Sequence, residues 1–117
     1  MQLPRTSGFA NSNELLIHFG DHAQDFSAST LSEYEAKADY FLTKPKTNDM
    51  HECPRKMGDR QRFDMITNEF GVISSTGVIR TYFVPKKCSE VVQTTRRIKC
   101  HRLPTHLDYA IQSCNRF

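Results

Sequence analysis

The N-terminal third of the chain places its apolar residues at the spacing of an α-helix. Residues 11–26 put their leucine, phenylalanine and alanine side chains on one sector of a helix, with Asn11 as the cap. Thr30 and Glu33 form a capping box before a second helical run. Pro45 ends that run, because the residue before a proline is pushed out of the helical region. The pattern predicts two consecutive helices.

From residue 50 the period shortens to two, which is typical of β-strands. Turn residues, among them Gly58, Asn68 and Gly77, divide this part of the chain into four runs. The expected strands are residues 51–57, 60–66, 70–74 and 78–84. Pro54 cannot donate a hydrogen bond to a neighbouring strand, so the first strand should lie at a sheet edge.

The order of these elements predicts an α+β fold. Two N-terminal helices should pack on one face of a four-stranded antiparallel meander, and Phe63, Met65 and Val72 should supply part of that face. Thr105 and Asp108 form another capping box, which predicts a short C-terminal helix. The apolar stripe expected on that helix consists of Leu107, Ile111 and Cys114.

Length and composition limit the kind of protein. The 117 residues suit one domain, which would cover residues 1–117. No apolar run approaches the roughly 20 residues of a membrane span, so we expect a soluble protein. Residues 1–10 lack the apolar core of a secretory signal, so any export would depend on a larger precursor.

The net charge of +3 is modest but unevenly distributed. Residues 1–77 carry 8 basic and 11 acidic side chains, whereas residues 78–117 carry 8 basic and 2 acidic ones. A segregated positive segment is typical of proteins that bind a polyanion such as RNA, although a solvated surface gives the same pattern.

Four cysteines allow three pairings if all of them form disulfides. They are Cys53, Cys88, Cys100 and Cys114. Their spacing does not distinguish disulfides from free thiols, and no two of them have the short spacing of structural zinc ligands. We therefore expect neither a metal site nor a cofactor.

The residues that remain suit acid–base chemistry on RNA. The chain has no glycine-rich phosphate loop, no serine-hydrolase elbow and no zinc-protease helix. It does have His18 and His22 four residues apart on the first helix, and Arg80 beside Thr81 in the last strand. RNA cleavage needs a base for the ribose 2′-hydroxyl, an acid for the leaving 5′-oxygen and a cation for the phosphate. Imidazoles suit the first two tasks and a guanidinium suits the third.

Each of these residues also has a structural explanation. A histidine at the margin of an apolar helix face is commonly a hydrogen-bonded boundary residue, and Arg62 or Arg80 in a strand is commonly a cross-strand partner. Tyr82 and Phe83 alternate in the last strand, so one should be buried and the other exposed, where it would stack on a base.

Residues 18–26, HFGDHAQDF, resemble the opening motif of a family of bacterial polymorphic and contact-dependent toxin domains, His-Phe-x-Lys-His-Gly-x-Glu-Phe. Residues 33–42 are similar to the helix that follows this motif. Residues 58–83 and 105–109 are similar to the family's sheet signature and its closing motif. The arrangement also resembles the nuclease domain of colicin D, in the barnase–EndoU–colicin–RelE superfamily.

This resemblance implies a metal-independent endonuclease that cleaves RNA, often tRNA, and leaves a 2′,3′-cyclic phosphate. It also implies a cognate immunity protein, and a larger secreted effector that delivers the domain into the cytoplasm of a target cell. By motif position, His22 matches the catalytic histidine and Thr81 matches the hydroxyl of the last strand. His18 and Arg80 would support them.

One departure from the family pattern affects the expected site. Asp21 stands where the pattern has lysine, so a phosphate-binding cation must come from elsewhere. The candidates for that cation are Lys37, Lys56, Arg60 and Arg62. The side chains expected to contact RNA are Arg62, Tyr82, Lys86, Lys87, Arg96 and Arg97.

Three other functions are compatible with the sequence. A non-enzymatic module would bind RNA or protein without cleaving it, and would tolerate changes of both helix histidines. A nuclease toxin acting on DNA would depend on a metal. A plain structural domain would pack its basic tail away from the histidines.

Overall fold

The computed structural model of the protein describes residues 6–90 and 100–117. Its helices and strands, in chain order, are α1 (Ser12–His22), α2 (Leu31–Thr43), β1 (Met50–Pro54), β2 (Arg60–Asp64), β3 (Phe70–Ile73), β4 (Ile79–Phe83) and α3 (His106–Arg116). The first predicted helix is divided, because α1 continues into a 3₁₀ turn at Ala23–Phe26. The order of helices and strands confirms the α+β class.

Each helix begins where its sequence provides a capping side chain. The side-chain oxygen of Asn11 accepts the N–H of Glu14 at 2.9 Å, and Thr30 caps α2 in the same way. At α3 the capping box is complete, because Thr105 and Asp108 each accept the backbone N–H of the other. These bonds are local, which explains why the sequence predicts the helix starts well.

The four strands form an antiparallel sheet in the order β1-β2-β3-β4, so β1 and β4 are its edges. Pro54 ends the edge strand β1, as its missing N–H predicts. The first hairpin is wider than the expected two-residue turn, since the chain between β1 and β2 is held by the Arg55 N–H and the Asp59 carbonyl at 2.7 Å. The first strand, expected to reach residue 57, therefore ends at Pro54, and β2 ends at Asp64 instead of residue 66, where the next turn begins.

The sheet lies between two helical layers. One layer, α1 and α2, covers a core that consists of Phe9, Tyr34, Ala38, Phe41, Leu42, Ile79 and Tyr82. The other layer, α3, packs on the opposite face. The expectation that Phe63, Met65 and Val72 face the N-terminal helices was wrong. Phe63 and Val72 pack under α3, and Met65 lies beyond the end of β2, where it is 42% exposed.

Only part of the apolar stripe predicted on α3 contacts the sheet: Leu107 packs against the core under this helix. Ala110 and Ser113 are buried, whereas Ile111 is exposed and Cys114 forms a disulfide. The buried Gln61 side chain donates to the Ala110 carbonyl at 2.7 Å and holds the helix close to β2. The face that α3 presents to the sheet is therefore rotated from the predicted one.

One extra residue in β4, Arg80, forms a β-bulge opposite β3. Because of this bulge, Ile79 and Tyr82 both point into the core under α1 and α2, although they are three residues apart. Thr81 and Phe83 point to the face that α3 covers. The bulge thus shifts the alternation of side chains along β4 by one residue, so that residues three apart face the same side of the sheet.

All four cysteines are paired. Cys53 of β1 is bonded to Cys114 of α3, and Cys88 is bonded to Cys100. The first disulfide ties an edge of the sheet to the last helix, and the second joins the segment after β4 to the segment before α3. Spacing along the sequence leaves all three pairings open, so only the fold decides between them.

Candidate active site

His22 lies where the end of α1 meets the end of β4. Its ring stacks on that of Phe83, with centroids 5.2 Å apart and planes inclined by 28°. The His22 side chain is 22% exposed, so the imidazole is partly accessible from the surface. The first helix and the last strand therefore meet at this histidine.

Asp25 and Lys86 form an ion pair beside His22. The Asp25 carboxylate, in the 3₁₀ turn, accepts the Lys86 ammonium at 2.7 Å and the Val84 N–H at 3.1 Å. Asp25 Oδ2 is 3.8 Å from His22 Nδ1, which is an electrostatic contact and too long for a hydrogen bond. The chain just after β4 is thus tied to the turn just after α1.

Burial lowers the pKa of His22 from its ordinary value of 6.5. The positive charges of His18 and Lys86 lower this pKa further, whereas the carboxylates of Asp25 and Asp21 raise it. Burial is the largest of these effects, so the imidazole is mainly neutral at pH 7. A neutral, partly accessible imidazole can accept a proton, as a general base must.

His18 lies one turn before His22 on α1. Its ring centroid is 6.0 Å from that of His22 and 5.2 Å from that of Phe9. Its Nε2 atom is 3.8 Å from the Glu14 carboxylate. His18 is therefore the neighbour of His22 that the spacing of four residues predicts.

The two strand residues expected at the site, Arg80 and Thr81, have different surroundings. Thr81 points to the same face as Phe83, two residues and roughly 7 Å away along the strand. Arg80 is exposed, and its Nε lies 3.4 Å from the carboxylate of Asp59 in the first hairpin. Strand pairing places this hairpin next to the start of β4, at the opposite end from Phe83. Thr81 therefore shares a strand face with the residue that stacks on His22, whereas the Arg80 side chain contacts the first hairpin.

Two residues predicted to contact RNA are buried, so these predictions were wrong. Tyr82, 1% exposed, belongs to the core under α1 and α2. Arg62, 7% exposed, lies 2.5 Å from Glu52 and donates to the carbonyl oxygens of Phe41 and Lys44 at 2.9 and 2.6 Å. Arg62 joins β1 and β2 to the end of α2, and it needs this full set of partners because an unpaired buried charge is costly.

The cation next to His22 is Lys86, from the segment after β4. Its charge lowers the pKa of His22, and Asp25, 61 positions earlier, holds its ammonium. The four candidates for the missing family lysine lie elsewhere: Lys37 is on α2, Lys56 is in the first hairpin, and Arg60 and Arg62 are on β2. A contact across so much sequence gives no local signal, which is why sequence reasoning chose other residues for this role.

The remaining residues expected to contact RNA are Lys87, Arg96 and Arg97. Lys87 lines a surface cavity near the start of α3. Arg96 and Arg97 lie outside the described residues.

A second pair of imidazoles lies at the start of α3. His101 Nε2 and His106 Nδ1 are 2.9 Å apart, and one nitrogen donates while the other accepts. His106 Nε2 is 3.4 Å from the Glu90 carboxylate, and the His101 ring stacks on Tyr109 with centroids 4.8 Å apart. Sequence reasoning assigned these two histidines no functional role. The Thr105 cap, which fixes His106 in the first turn of α3, is the one local signal that points to it.

Comparison with known proteins found no family model and no curated protein that matches the chain. Within residues 6–90 and 100–117, no group of three or more histidine, cysteine, aspartate or glutamate side chains could hold a metal ion. In those same ranges no helix has both the length and the apolar character needed to cross a membrane. What the site can do therefore follows from its own side chains: a neutral imidazole, a second imidazole one turn away, and an ammonium.

Proposed function

We propose that the protein is a ribonuclease whose reaction needs no metal ion. The observation that carries this proposal is the partly accessible His22 imidazole, whose pKa is lowered by burial, beside the Asp25 carboxylate that also holds the Lys86 ammonium. RNA transesterification requires these two kinds of group, a base for the 2′-hydroxyl and a cation for the charge that develops on the phosphate.

In this mechanism His22 takes the proton of a ribose 2′-hydroxyl, whose oxygen attacks the adjacent phosphorus. The bond from phosphorus to the 5′-oxygen breaks, and that oxygen receives a proton from the second imidazole, His18. Lys86 binds the non-bridging phosphate oxygens in exchange for part of its contact with Asp25, and the Thr81 hydroxyl donates to them. The products are a 2′,3′-cyclic phosphate and a 5′-hydroxyl end.

The charge distribution supports a polyanionic substrate. Residues 78–117 carry 8 basic and 2 acidic side chains. The exposed Arg80, near the first hairpin, would attract the RNA backbone. Binding of phosphates releases counterions, so affinity for RNA should fall as salt rises. The family resemblance suggests tRNA as the substrate.

The two disulfides support an exported protein, because disulfides persist mainly in oxidising compartments. Together with the resemblance to toxin domains, they lead us to propose that the chain is the delivered part of a larger effector. It would act in the cytoplasm of a target cell, and a cognate immunity protein would protect the producing cell.

The test is cleavage of tRNA and total RNA by the purified protein in EDTA, with mapping of the new 3′ ends. The wild type should leave 2′,3′-cyclic phosphates. His22→Gln should reduce cleavage by about 100-fold or more, the usual contribution of a general base, without lowering the unfolding temperature below that of the control. Gln24→Ala, an exposed position in the same turn, is the matched control and should cleave like the wild type.

Other results would identify other functions. Equal cleavage by His22→Gln and the wild type would remove the proposed base. RNA binding without strand scission would indicate a non-enzymatic binding module. Cleavage of DNA that stops in EDTA would indicate a metal-dependent nuclease, and neither binding nor cleavage would indicate a structural domain.

A further inference from the structure

A surface cavity of about 450 Å³ lies beside the second pair of histidines. The polar residues that line it are Asn68, Lys87, Glu90, Thr105 and His106. They come from three parts of the chain, namely the turn before β3, the segment after β4 and the start of α3. An ammonium, an imidazole and neutral hydrogen-bond donors that meet in one cavity are suited to an anion.

The backbone on the two sides of this cavity is held together. Lys87 and His101 form an isolated parallel bridge, in which the Cys88 N–H donates to the His101 carbonyl at 2.8 Å and the His101 N–H donates to the Lys86 carbonyl at 2.9 Å. The disulfide from Cys88 to Cys100 joins the residues next to this bridge. The lysine and the histidine pair are therefore fixed relative to each other.

The cavity carries one ammonium, that of Lys87, and one carboxylate, that of Glu90, which also accepts the Lys87 backbone N–H at 3.2 Å. The Lys87 ammonium forms neither a hydrogen bond nor an ion pair with the residues that the structure describes. Burial lowers the pKa of His101, and the charges of His106 and Lys87 lower it further, so additional positive charge is disfavoured here unless an anion arrives. Glu90 opposes this trend, but its side chain is 54% exposed and can move.

A row of aromatic rings connects this cavity to His22. Phe83 stacks on His22, Tyr109 meets Phe83 edge-on with centroids 6.4 Å apart, and His101 stacks on Tyr109. Partly exposed rings are platforms on which the bases of a single strand stack. A single-stranded RNA bound at His22 could therefore continue along this row of rings towards the cavity.

We propose that the cavity is a phosphate-binding subsite for single-stranded RNA, in which Lys87 and His106 hold one backbone phosphate at a distance from the bond that is cleaved. This inference rests on the proposed ribonuclease function, and adds that the enzyme contacts several nucleotides of its RNA substrate. The bound phosphate takes the place of Glu90 at His106 Nε2. Removal of the Glu90 charge therefore strengthens binding, whereas loss of Lys87 or of His106 weakens it.

The test is binding of a fluorescent 2′-O-methyl RNA oligonucleotide, which lacks the attacking hydroxyl and cannot be cleaved. Lys87→Met should weaken binding by roughly 3- to 10-fold at low salt. It should also reduce the slope of log affinity against log salt concentration by about the amount expected for one phosphate contact. Glu90→Gln should tighten binding by about 2-fold, since a competing carboxylate is lost. Lys46→Met, at an exposed lysine that does not line the cavity, is the control for loss of one positive charge and should have a much smaller effect.

A second measurement uses inorganic phosphate alone. Its titration into the wild type should shift the ring NMR signals of His106 and His101 more than those of His51, and Lys87→Met should reduce these shifts. Oligonucleotide affinity and salt dependence that are the same for Lys87→Met, Glu90→Gln and the control would overturn the subsite. Phosphate that shifts no ring signal at the cavity would also overturn it.

These results are separate from the test of the proposed function. A wild type that binds the oligonucleotide through Lys87 but cleaves no RNA would keep the subsite and remove the ribonuclease. A wild type that cleaves RNA, with a KM that Lys87→Met leaves unchanged, would keep the ribonuclease and remove the subsite. If both are correct, Lys87→Met raises KM for long RNA by a larger factor than it raises KM for a dinucleotide, which is too short to reach the cavity.

Discussion

Removal of the Cys53–Cys114 disulfide should destabilise the protein more than removal of the Cys88–Cys100 disulfide. The first joins residues 61 positions apart and the second joins residues 12 positions apart. In the chain-entropy description, a cross-link stabilises a protein because it restricts the unfolded chain, and this effect grows with the logarithm of the loop length. The expected contributions are about 4 kcal/mol and about 3 kcal/mol, respectively.

Native contacts should increase this difference. The Cys53–Cys114 link lies where α3 is attached to β1, beside the hydrogen bond from Arg55 to Ser113 at 2.8 Å. The Lys56 N–H, in the same hairpin, donates to the carbonyl of Phe117 at 2.8 Å. Loss of the link weakens all of these attachments together. A loss of about 4 kcal/mol is a large share of the roughly 5–15 kcal/mol by which a domain of this size is stable.

The assay is urea denaturation followed by circular dichroism, since the chain contains no tryptophan. The oxidised wild type is compared with two double variants, Cys53→Ser with Cys114→Ser and Cys88→Ser with Cys100→Ser. The reduced wild type should lose more free energy of unfolding than either variant. The reasoning is refuted if the first variant is as stable as the wild type, or if the order of the two losses is reversed. A reduced wild type that is unfolded would also count against action in a reducing cytoplasm.

Arg62→Met should lower the free energy of unfolding by about 3–5 kcal/mol, because the largely buried Glu52 carboxylate loses its close partner and the carbonyl oxygens at the end of α2 lose their donor. Arg60→Met, which removes an exposed arginine 3.8 Å from the same carboxylate, should cost less than about 1 kcal/mol, and equal losses in urea denaturation would contradict the assignment. The stability of the wild type should also fall as the pH drops below about 6.5. The pKa of His22 is lowered in the folded state, so the unfolded state binds more protons there. His22→Gln should make this dependence shallower in denaturation measured across pH, and an unchanged slope would show that burial of this ring is not its cause.

Much of the fold is predictable because its signals are local. Asn11, Thr30 and Thr105 start the three helices through bonds that span only three residues. Pro54 identifies an edge strand because a proline nitrogen has no hydrogen to donate. These signals depend on neighbouring residues alone, and they determine the class and the order of elements.

The errors concern features that depend on distant partners. The choice between Tyr82 and Phe83 as the exposed aromatic depends on the bulge at Arg80, which alternation along β4 does not reveal. Arg62 is buried because Glu52 stands opposite it on β1, and a strand register is not visible in either strand alone. The candidate site has the same limit. The motif points to His22 as a candidate, but the Lys86 side chain beside it comes from beyond β4.

The bulge in β4 depends on the presence of a residue at position 80 and not on its side chain, so substitution of Arg80 should disturb the fold less than its deletion. Without Arg80 the strand would return to an uninterrupted alternation, and Ile79, whose N–H donates to the Gly8 carbonyl at 2.9 Å, would be turned towards the opposite layer. Relatives of this protein should therefore tolerate substitutions at this bulge but not deletions.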